Sequence, residues 1–222
     1  MTENQSVKVN TDLLCLIVND GMGSEVIRIA KKNGSSGGTV FYGSGTINNS
    51  RLKMFGLDNI RKEIVLMITN DDQSDAILKV LSEKLKLNRP NHGIAFSISL
   101  LNVLGRRNSA YDQNAQIGED DSVMHQAIFV IVERGKAEDV IDAAVEAGSQ
   151  GGTIISARGS GVNETSRLFG MDIEPEKEIV LILSDKDKVD PIVASISHAT
   201  EIEKPGNGII FTIDVKNAKG LF

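Results

Sequence analysis

The sequence predicts an α+β protein built from two related domains, each with the element order βαββαβ. Three observations support this prediction. Residues 13–104 and 126–217 repeat the same landmarks in the same order, about 114 residues apart. Each copy alternates short apolar runs with segments whose apolar residues recur at helical spacing. Two copies are too few for a solenoid, and each is long enough to form a domain with its own core.

The landmarks also set the domain boundaries. GSSGGT at 34–39 corresponds to GSQGGT at 148–153, and EIVLMI at 63–68 corresponds to EIVLIL at 178–183. Further matches are GSG at 43–45 with 159–161, FGLD at 55–58 with FGMD at 169–172, and residues 90–96 with 205–211. We expect a first repeat at 11–104, a polar linker at 105–124 and a second repeat at 125–217.

The first half of each repeat is predicted as a strand, a helix and a second strand. The strands are the branched apolar runs 13–18 and 127–132, followed by 39–42 and 153–156. Gly34 and Gly148 are placed to end the helices, since glycine readily enters the left-handed region. The helices present apolar residues to the core: Val26, Ile27 and Ala30 in one copy, and Val140, Ile141, Ala144 and Val145 in the other.

The second half of each repeat is predicted as a strand, a helix and a last strand. Asp75 and Asp190 are predicted to cap the helices, with Pro191 at the first helical position. The helices bury Ile77, Leu78 and Leu81, and Ile192, Val193 and Ile196, and the last strands are 94–100 and 209–215. The resulting βαββαβ order is that of tandem ferredoxin-like domains, whose antiparallel sheets carry the helices on one face.

The helix-free face of the sheet needs a partner. A sheet covered on one face should alternate apolar and polar residues, but 64–68 and 179–183 are apolar throughout. We expect an oligomer in which sheets face one another. The alternative, that the two repeats bury each other within one chain, remains open.

Composition excludes several classes. The net charge of −6 argues against a general nucleic-acid binder, which needs a basic surface. The single cysteine, Cys15, lies in an apolar run and is expected to be a buried thiol in a reducing, cytoplasmic compartment. The polar residues 1–12 do not resemble a signal peptide, and there is no apolar run of about 18 residues that would span a membrane.

The ordered landmarks resemble the PII nitrogen-regulatory signalling proteins, and the resemblance covers nearly all of both repeats. It rests on the G-x-x-G-x-T turns at 34–39 and 148–153, the GSG tripeptides, and the turns NHGIAF at 91–96 and GNGIIF at 206–211. The resemblance implies trimers of ferredoxin-like subunits. These bind adenine nucleotides in clefts between subunits, and a long T-loop, which begins near GSG, contacts target proteins.

The resemblance also implies a set of ligand-binding candidates. The family's phosphate-contacting lysine is replaced by Ile94 and Ile209, which leaves backbone N–H groups of glycine turns and nearby arginines to hold an anion. The candidates are Thr39, Gly43, Ser44, Gly45, His92, Gly93, Arg106, Arg107, Thr153, Gly159, Ser160, Gly161, Asn207 and Gly208. The alternative is structural: glycines also make turns, and threonines also fill strands.

The T-loop regions 46–62 and 162–177 contain no tyrosine, so the family's tyrosine modification has no acceptor there. Both contain FG-[L/M]-D. Phe55 and Phe169 are therefore candidate partner-binding residues, because aromatic side chains dominate interface hot spots. The alternative is that each packs on its own domain.

No catalytic or metal-binding constellation is evident, since the three histidines occur singly. We therefore expect a non-enzymatic regulator that binds a small anionic effector, with ATP and ADP as candidates. Its target protein would be a membrane transporter or a metabolic enzyme, and a homo-oligomer, preferably a trimer, is expected. The alternative is a structural assembly module with a lost ligand site.

Overall fold

The computed structural model describes residues 11–46, 59–105, 124–160, 166–168 and 171–215. The first repeat contributes β1 (Thr11–Asn19), α1 (Gly23–Lys32), β2 (Gly38–Thr46), β3 (Asn59–Asn70), α2 (Asp71–Leu85), β4 (Ile94–Ser99) and β5 (Asn102–Leu104). The second contributes β6 (His125–Glu133), α3 (Ala137–Glu146), β7 (Thr153–Ser160), β8 (Ser166–Leu168), β9 (Met171–Ile173), β10 (Glu176–Asp185), α4 (Lys186–Thr200) and β11 (Ile209–Val215). No helix among these residues is long and apolar enough to cross a membrane.

Nine of these strands form one antiparallel sheet in the order β4-β1-β3-β2-β7-β10-β6-β11-β5, and β8 pairs with β9 separately. The first repeat supplies β4-β1-β3-β2, and the second supplies the same order in mirror sequence, β7-β10-β6-β11. Each repeat packs its two helices on one face of its strands through its own apolar cluster. The predicted ferredoxin-like βαββαβ units are confirmed.

The first helix of each repeat follows the prediction closely. Val26, Ala30, Val140 and Ala144 are buried. Gly34 and Gly148, with φ of +103° and +100°, lie just beyond the helix ends in the left-handed region that glycine tolerates. Val145, predicted to face the core, is instead 49% exposed.

The second helix of each repeat begins earlier than predicted. Strands β3 and β10 run directly into the helices, so the residues before them are Asn70 and Asp185. Asp75 and Asp190 therefore lie inside the helices and not at their N-caps. Pro191 is also inside α4 rather than at its first position. Its missing N–H removes one bond to the carbonyl four residues earlier, at a solvent-exposed residue, where water can replace it.

The helix-free face is covered within the chain itself. Leu13, Ile179 and Phe211, from both repeats, belong to one apolar cluster and are at most 4% exposed. The ends of the sheet also come together, since only Leu100 and Leu101 separate β4 from β5. This is the alternative left open by the sequence, in which the two repeats bury each other. The expected oligomer remains a proposal.

Candidate functional site at the junction of the repeats

The two repeats meet where β2 pairs with β7. Four residue pairs form this ladder, from Gly38 opposite Ser160 to Phe41 opposite Ala157. The candidates Thr39 and Gly159 lie opposite each other in it, and Thr39 is buried. A Cβ atom at Gly159 would lie 2.4 Å from the Gly38 carbonyl oxygen and 2.9 Å from the Thr39 Cα. Glycine at 159 is therefore what allows the two backbones to approach.

Only half of the possible junction ladder is formed. Continued in the same register, it would place Gly45 opposite Thr153, but the pairing ends at Phe41 and Ala157. Ser44 and Thr153, both candidates, are exposed beyond that point. Of the predicted ligand residues, Thr39, Gly159 and Ser160 therefore lie in the paired stretch, and Ser44 and Thr153 lie beyond it.

The register of the sheet corrects the correspondence of the two GSG tripeptides. Gly43 lies opposite Lys62 in β3, whereas Ala157 lies opposite Lys177 in β10. Because Lys62 and Lys177 precede the matching EIV runs, Gly43-Ser44-Gly45 is structurally equivalent to Ala157-Arg158-Gly159. Matching GSG with GSG was therefore wrong by two residues. Apolar strand residues fix register, and short glycine tripeptides do not.

Arg158 is the central charged residue of the junction. One guanidinium nitrogen donates to Glu63 Oε1 at 2.6 Å, and another contacts both the Glu174 carboxylate and the Ser24 hydroxyl, the latter at 3.2 Å. The Arg158 side chain is only 23% exposed. Burial lowers its pKa, but hydrogen bonds to Tyr42 and Glu63 outweigh burial and raise the pKa above the ordinary arginine value. Arg158 therefore remains a cation in this setting.

Glu63 is the partner that makes this arginine important. It is 1% exposed, and its second oxygen accepts the N–H of Gly23 at 2.5 Å, at the start of α1. A carboxylate suits this position because the first N–H groups of a helix lack intrahelical acceptors. Glu63 is thus satisfied by a helix of its own repeat and by the Arg158 cation of the other.

An exposed aromatic ring lies beside this ion pair. Tyr42 is 49% exposed, and the Arg61 guanidinium carbon lies 3.8 Å from the centre of its ring. Arg61 also pairs with Asp20 at 3.5 Å. Two guanidinium groups, from different repeats, therefore contact one tyrosine. This cluster was not predicted from the sequence. The available signal was that the second repeat has Arg158 where the first repeat has Ser44, once the EIV runs are aligned.

The turns before the last strands hold two more candidates, His92 and Asn207. His92 Nδ1 lies 3.0 Å from the carbonyl oxygen of Leu85, the last residue of α2. Asn207 Nδ2 donates to the carbonyl oxygen of Thr200, the last residue of α4, also at 3.0 Å. Both side chains therefore satisfy a helix C-terminus in the same way, which gives each a structural role.

The glycines that follow have a structural role as well. Gly93 and Gly208 have φ of +138° and +141°. A Cβ atom would lie 2.7 Å from the Ile17 carbonyl oxygen at Gly93, and 2.3 Å from that of Ile131 at Gly208. Both turns are therefore shaped by close approach to the first strand of their own repeat.

Comparison with known proteins identifies the second repeat. Residues 125–221 match the family model described as nitrogen regulatory protein P-II. Over these residues the chain is similar to the PII family. A crystal structure of Arabidopsis thaliana PII bound to citrate is similar at 23% sequence identity, with a TM-score of 0.35, covering 44% of this chain and 82% of that chain. No curated protein matches the chain in sequence.

The match confirms the resemblance drawn from the residues for the second repeat. PII proteins are regulatory, non-enzymatic signal transducers that bind small effectors and target proteins and are typically trimers. The matched region contains β6 to β11, and with them Thr153, Gly159 and the turn at Asn207 and Gly208. The first repeat has the same strand order around its own candidates.

Gly43, His92 and Gly93, three candidates of the first repeat, lie towards one end of its strands. Asn19, at the end of β1, donates to the Asn91 carbonyl oxygen at 3.4 Å and accepts from Lys62 at 2.5 Å. This polar chain connects the turn that contains His92 with the strand beside Gly43. The turn leads into β4, which lies three strand positions from β2. At about 4.8 Å per strand, the turn and β2 are about 14 Å apart.

Five candidates lie outside the described residues. They are Arg106, Arg107 and Gly161 of the ligand-binding set and Phe55 and Phe169 of the partner-binding set. Their predicted roles stay predictions.

Proposed function

We propose that the chain is a non-enzymatic PII-like regulator that binds a small anionic effector at the junction of its two repeats. In this proposal residues 11–104 are a second, divergent PII-like domain, joined to the first by residues 105–124. The observation that supports it best is the position of Arg158, which contacts Glu63 and Tyr42 of the other repeat. The PII match of residues 125–221 supports the regulatory class.

The chemistry of the junction favours an effector with an anionic group and a flat ring. Tyr42 offers a half-exposed aromatic ring, and Arg61 lies over that ring and forms a half-exposed ion pair with Asp20. Such exposed pairs contribute little, so Arg61 can exchange Asp20 for a phosphate. An adenine nucleotide combines both features, so ATP and ADP are the first candidates. The exposed Ser44 and Thr153 would add hydroxyl groups nearby.

We further propose that the signal leaves the junction through the connections between β2 and β3 and between β7 and β10. These connections begin at the candidate site and contain Phe55 and Phe169. They would contact a target protein, either a membrane transporter or a metabolic enzyme. A cytoplasmic homo-oligomer, with a trimer favoured, completes the proposal.

The proposal is tested by isothermal titration of the full chain with ATP, ADP, AMP and 2-oxoglutarate, with and without magnesium. At least one compound should bind, and Arg61→Gln should weaken it by about 10-fold or more, the loss expected for one charge-assisted hydrogen bond. Arg134→Gln is the matched control, because Arg134 is an exposed arginine paired with Glu176 in the second repeat. Equal loss in both variants, or no binding by folded protein, would overturn the proposal.

The second candidate function is an assembly module with a lost ligand site. The observation that favours it is that His92 and Asn207 both satisfy helix ends, which removes the need for a ligand to explain them. If this function is correct, no compound in the titration binds and light scattering shows a stable oligomer. A monomer that binds no effector would contradict both candidates.

A further inference from the structure

Two equivalent phenylalanines differ sharply in exposure. Phe96 in β4 and Phe211 in β11 lie at the same register positions, opposite Cys15 and Phe129 of the first strand of their repeats. Phe211 is fully buried, whereas Phe96 is 40% exposed. Ile94, two residues earlier, is 60% exposed. The first repeat therefore has an uncovered apolar strand where the second has a covered one.

The covering element of the second repeat is β5. This strand follows β4 in the chain but pairs with β11, with Val103 opposite Phe211 and Asn102 opposite Thr212. Among the described residues, β4 pairs only with β1 and so lies at the edge of the sheet. Its sequence, IAFSIS, contains no charge and no proline, the usual protections of an edge strand. The unpaired N–H and C=O groups of such an edge favour pairing with another strand.

The residues after β11 repeat the pattern that makes β5. Carried over at the same offset as Phe96 and Phe211, Asn102 corresponds to Asn217 and Gly105 to Gly220, and both residue types are identical. The glycine has a geometric reason. Gly105 has φ of +83°, and a Cβ atom there would lie 2.3 Å from the carbonyl oxygen of Gly208. The equivalent approach in the first repeat would bring Gly220 against Gly93.

The start of this segment is also within reach of β4. The N–H of Leu101 donates to the carbonyl oxygen of Thr212 at 3.1 Å, two residues beyond the end of β4. Strand β11 therefore runs beside the chain that leaves β4. Residues that follow Val215, the end of β11, need to travel only a short distance to lie along the free edge.

We propose that residues 217–219, which lie outside the described residues, pair with the free edge of β4. The register is the one that β5 uses on β11, with Ser97 opposite Asn217 and Ala95 opposite Lys219. The two repeats would then cover each other reciprocally, and Phe96 would be shielded as Phe211 is. Lys219 replaces the buried Leu104, so this strand is held less tightly than β5.

Disulfide trapping in the full chain tests the register. Ser97→Cys with Asn217→Cys should form an intrachain disulfide under mild oxidation, because directly opposite residues lie about 5 Å apart. Ser99→Cys with Asn217→Cys is the out-of-register control and should not, at a diagonal spacing of about 7–8 Å. The native Cys15 does not interfere, because burial raises the pKa of its thiol to about 11. Thr212→Cys with Asn102→Cys is the positive control, since that pair is observed.

A second measurement separates docking from chance collision. Lys219→Leu restores the residue type that β5 has at this position, so it should raise the Tm by roughly 2–4 °C and speed the in-register cross-link. Lys216→Leu, outside the proposed strand, is its control. An interchain disulfide would assign the β4 edge to a second copy and overturn the intrachain proposal. No cross-link together with an unchanged Tm in Lys219→Leu would also overturn it.

Discussion

The two repeats have a glutamate at the same position, but its contacts differ between them. Glu63 and Glu178 each begin a matching EIV run inside their strands, and each accepts an N–H from the start of the first helix, from Gly23 and Ala137 respectively. Glu63 is 1% exposed and also pairs with Arg158, whereas Glu178 is only half-buried. Among the described residues, Glu178 therefore bonds the start of a helix in the second repeat, whereas Glu63 does this and also forms an ion pair between the repeats.

Only one such ion pair forms between the described residues of the two repeats, because the first repeat has no arginine at the position equivalent to Arg158. Register places Ser44 at the equivalent position in β2, and serine cannot supply a cation to Glu178. The ladder between β2 and β7 is one-sided as well, since it ends at Phe41 and Ala157. The half of the junction next to Arg158 is closed by pairing, and the half next to Ser44 keeps its side chains exposed.

The largest expected effect comes from removing the cation of the closed half. Arg158→Met leaves Glu63 buried with only the Gly23 N–H, so unfolding free energy should fall by about 3 kcal/mol, the low end for a broken buried pair. Urea unfolding measures this. Arg134→Met, which breaks an exposed pair with Glu176, should cost less than about 1 kcal/mol. Equal losses would show that the junction pair is no more important than a surface pair.

The next effect tests the close approach of β2 and β7. Gly159→Ala would push a methyl group into the Gly38 carbonyl oxygen, so we expect a loss of about 2–3 kcal/mol. Gly43→Ala is the comparison from the first repeat. Its added Cβ would lie 3.0 Å from the end of the Ile64 side chain, which can move. Urea unfolding should show a loss below about 1 kcal/mol for Gly43→Ala. A ranking in the opposite order would contradict the observed pairing.

The fold could be predicted because it rests on local periodicity. Apolar runs and helical spacing placed the strands and the first helices, and the repeated landmarks doubled the signal. The second helices were misplaced because a favourable residue such as Asp75 or Pro191 marks a helix start only when the strand ends before it. Here the strands run straight into the helices, so tertiary continuity overrides local preference.

The candidate site was predicted only in part. Thr39 and Gly159 do meet, whereas the glycine turns lie against the first strands of their own repeats. The ion pair of Arg158 and Glu63 joins residues 95 positions apart in the chain, and nothing in local spacing indicates such a contact. The hydrogen bonds of His92 and Asn207 could not be predicted from the sequence either. The two side chains differ in type, although their nitrogen atoms contact the same helix-end position in each repeat.

The equivalent positions of His92 and Asn207 predict a moderate loss of unfolding free energy when either side chain is removed. His92→Ala removes one hydrogen bond at a helix end and Asn207→Ala removes two, to the carbonyl oxygens of Thr200 and Glu201, so each should cost about 1–2 kcal/mol. His92→Asn should restore most of the loss, because asparagine makes this bond in the other repeat. Thermal and urea unfolding of the three variants checks this. If His92→Asn is as unstable as His92→Ala, the shared role of the two side chains is wrong.

The smallest expected effect again distinguishes the repeats. Asp185 precedes α4, where the first repeat has the uncharged Asn70 before α2. The hydrogen bond from Lys188, and then the Lys188 charge, hold the pKa of Asp185 below its ordinary value.

A folded-state pKa below the unfolded one contributes stability above about pH 4 that is lost as the pH falls further. Asp185→Asn should therefore lower the Tm slightly at pH 7, and the difference from the parent chain should vanish near pH 2–3. The contribution is small because both side chains are about half exposed and screened by solvent. Lys188→Gln should remove the same pH dependence. A Tm difference that persists unchanged at low pH would show that Asp185 acts through its backbone position and not through its charge.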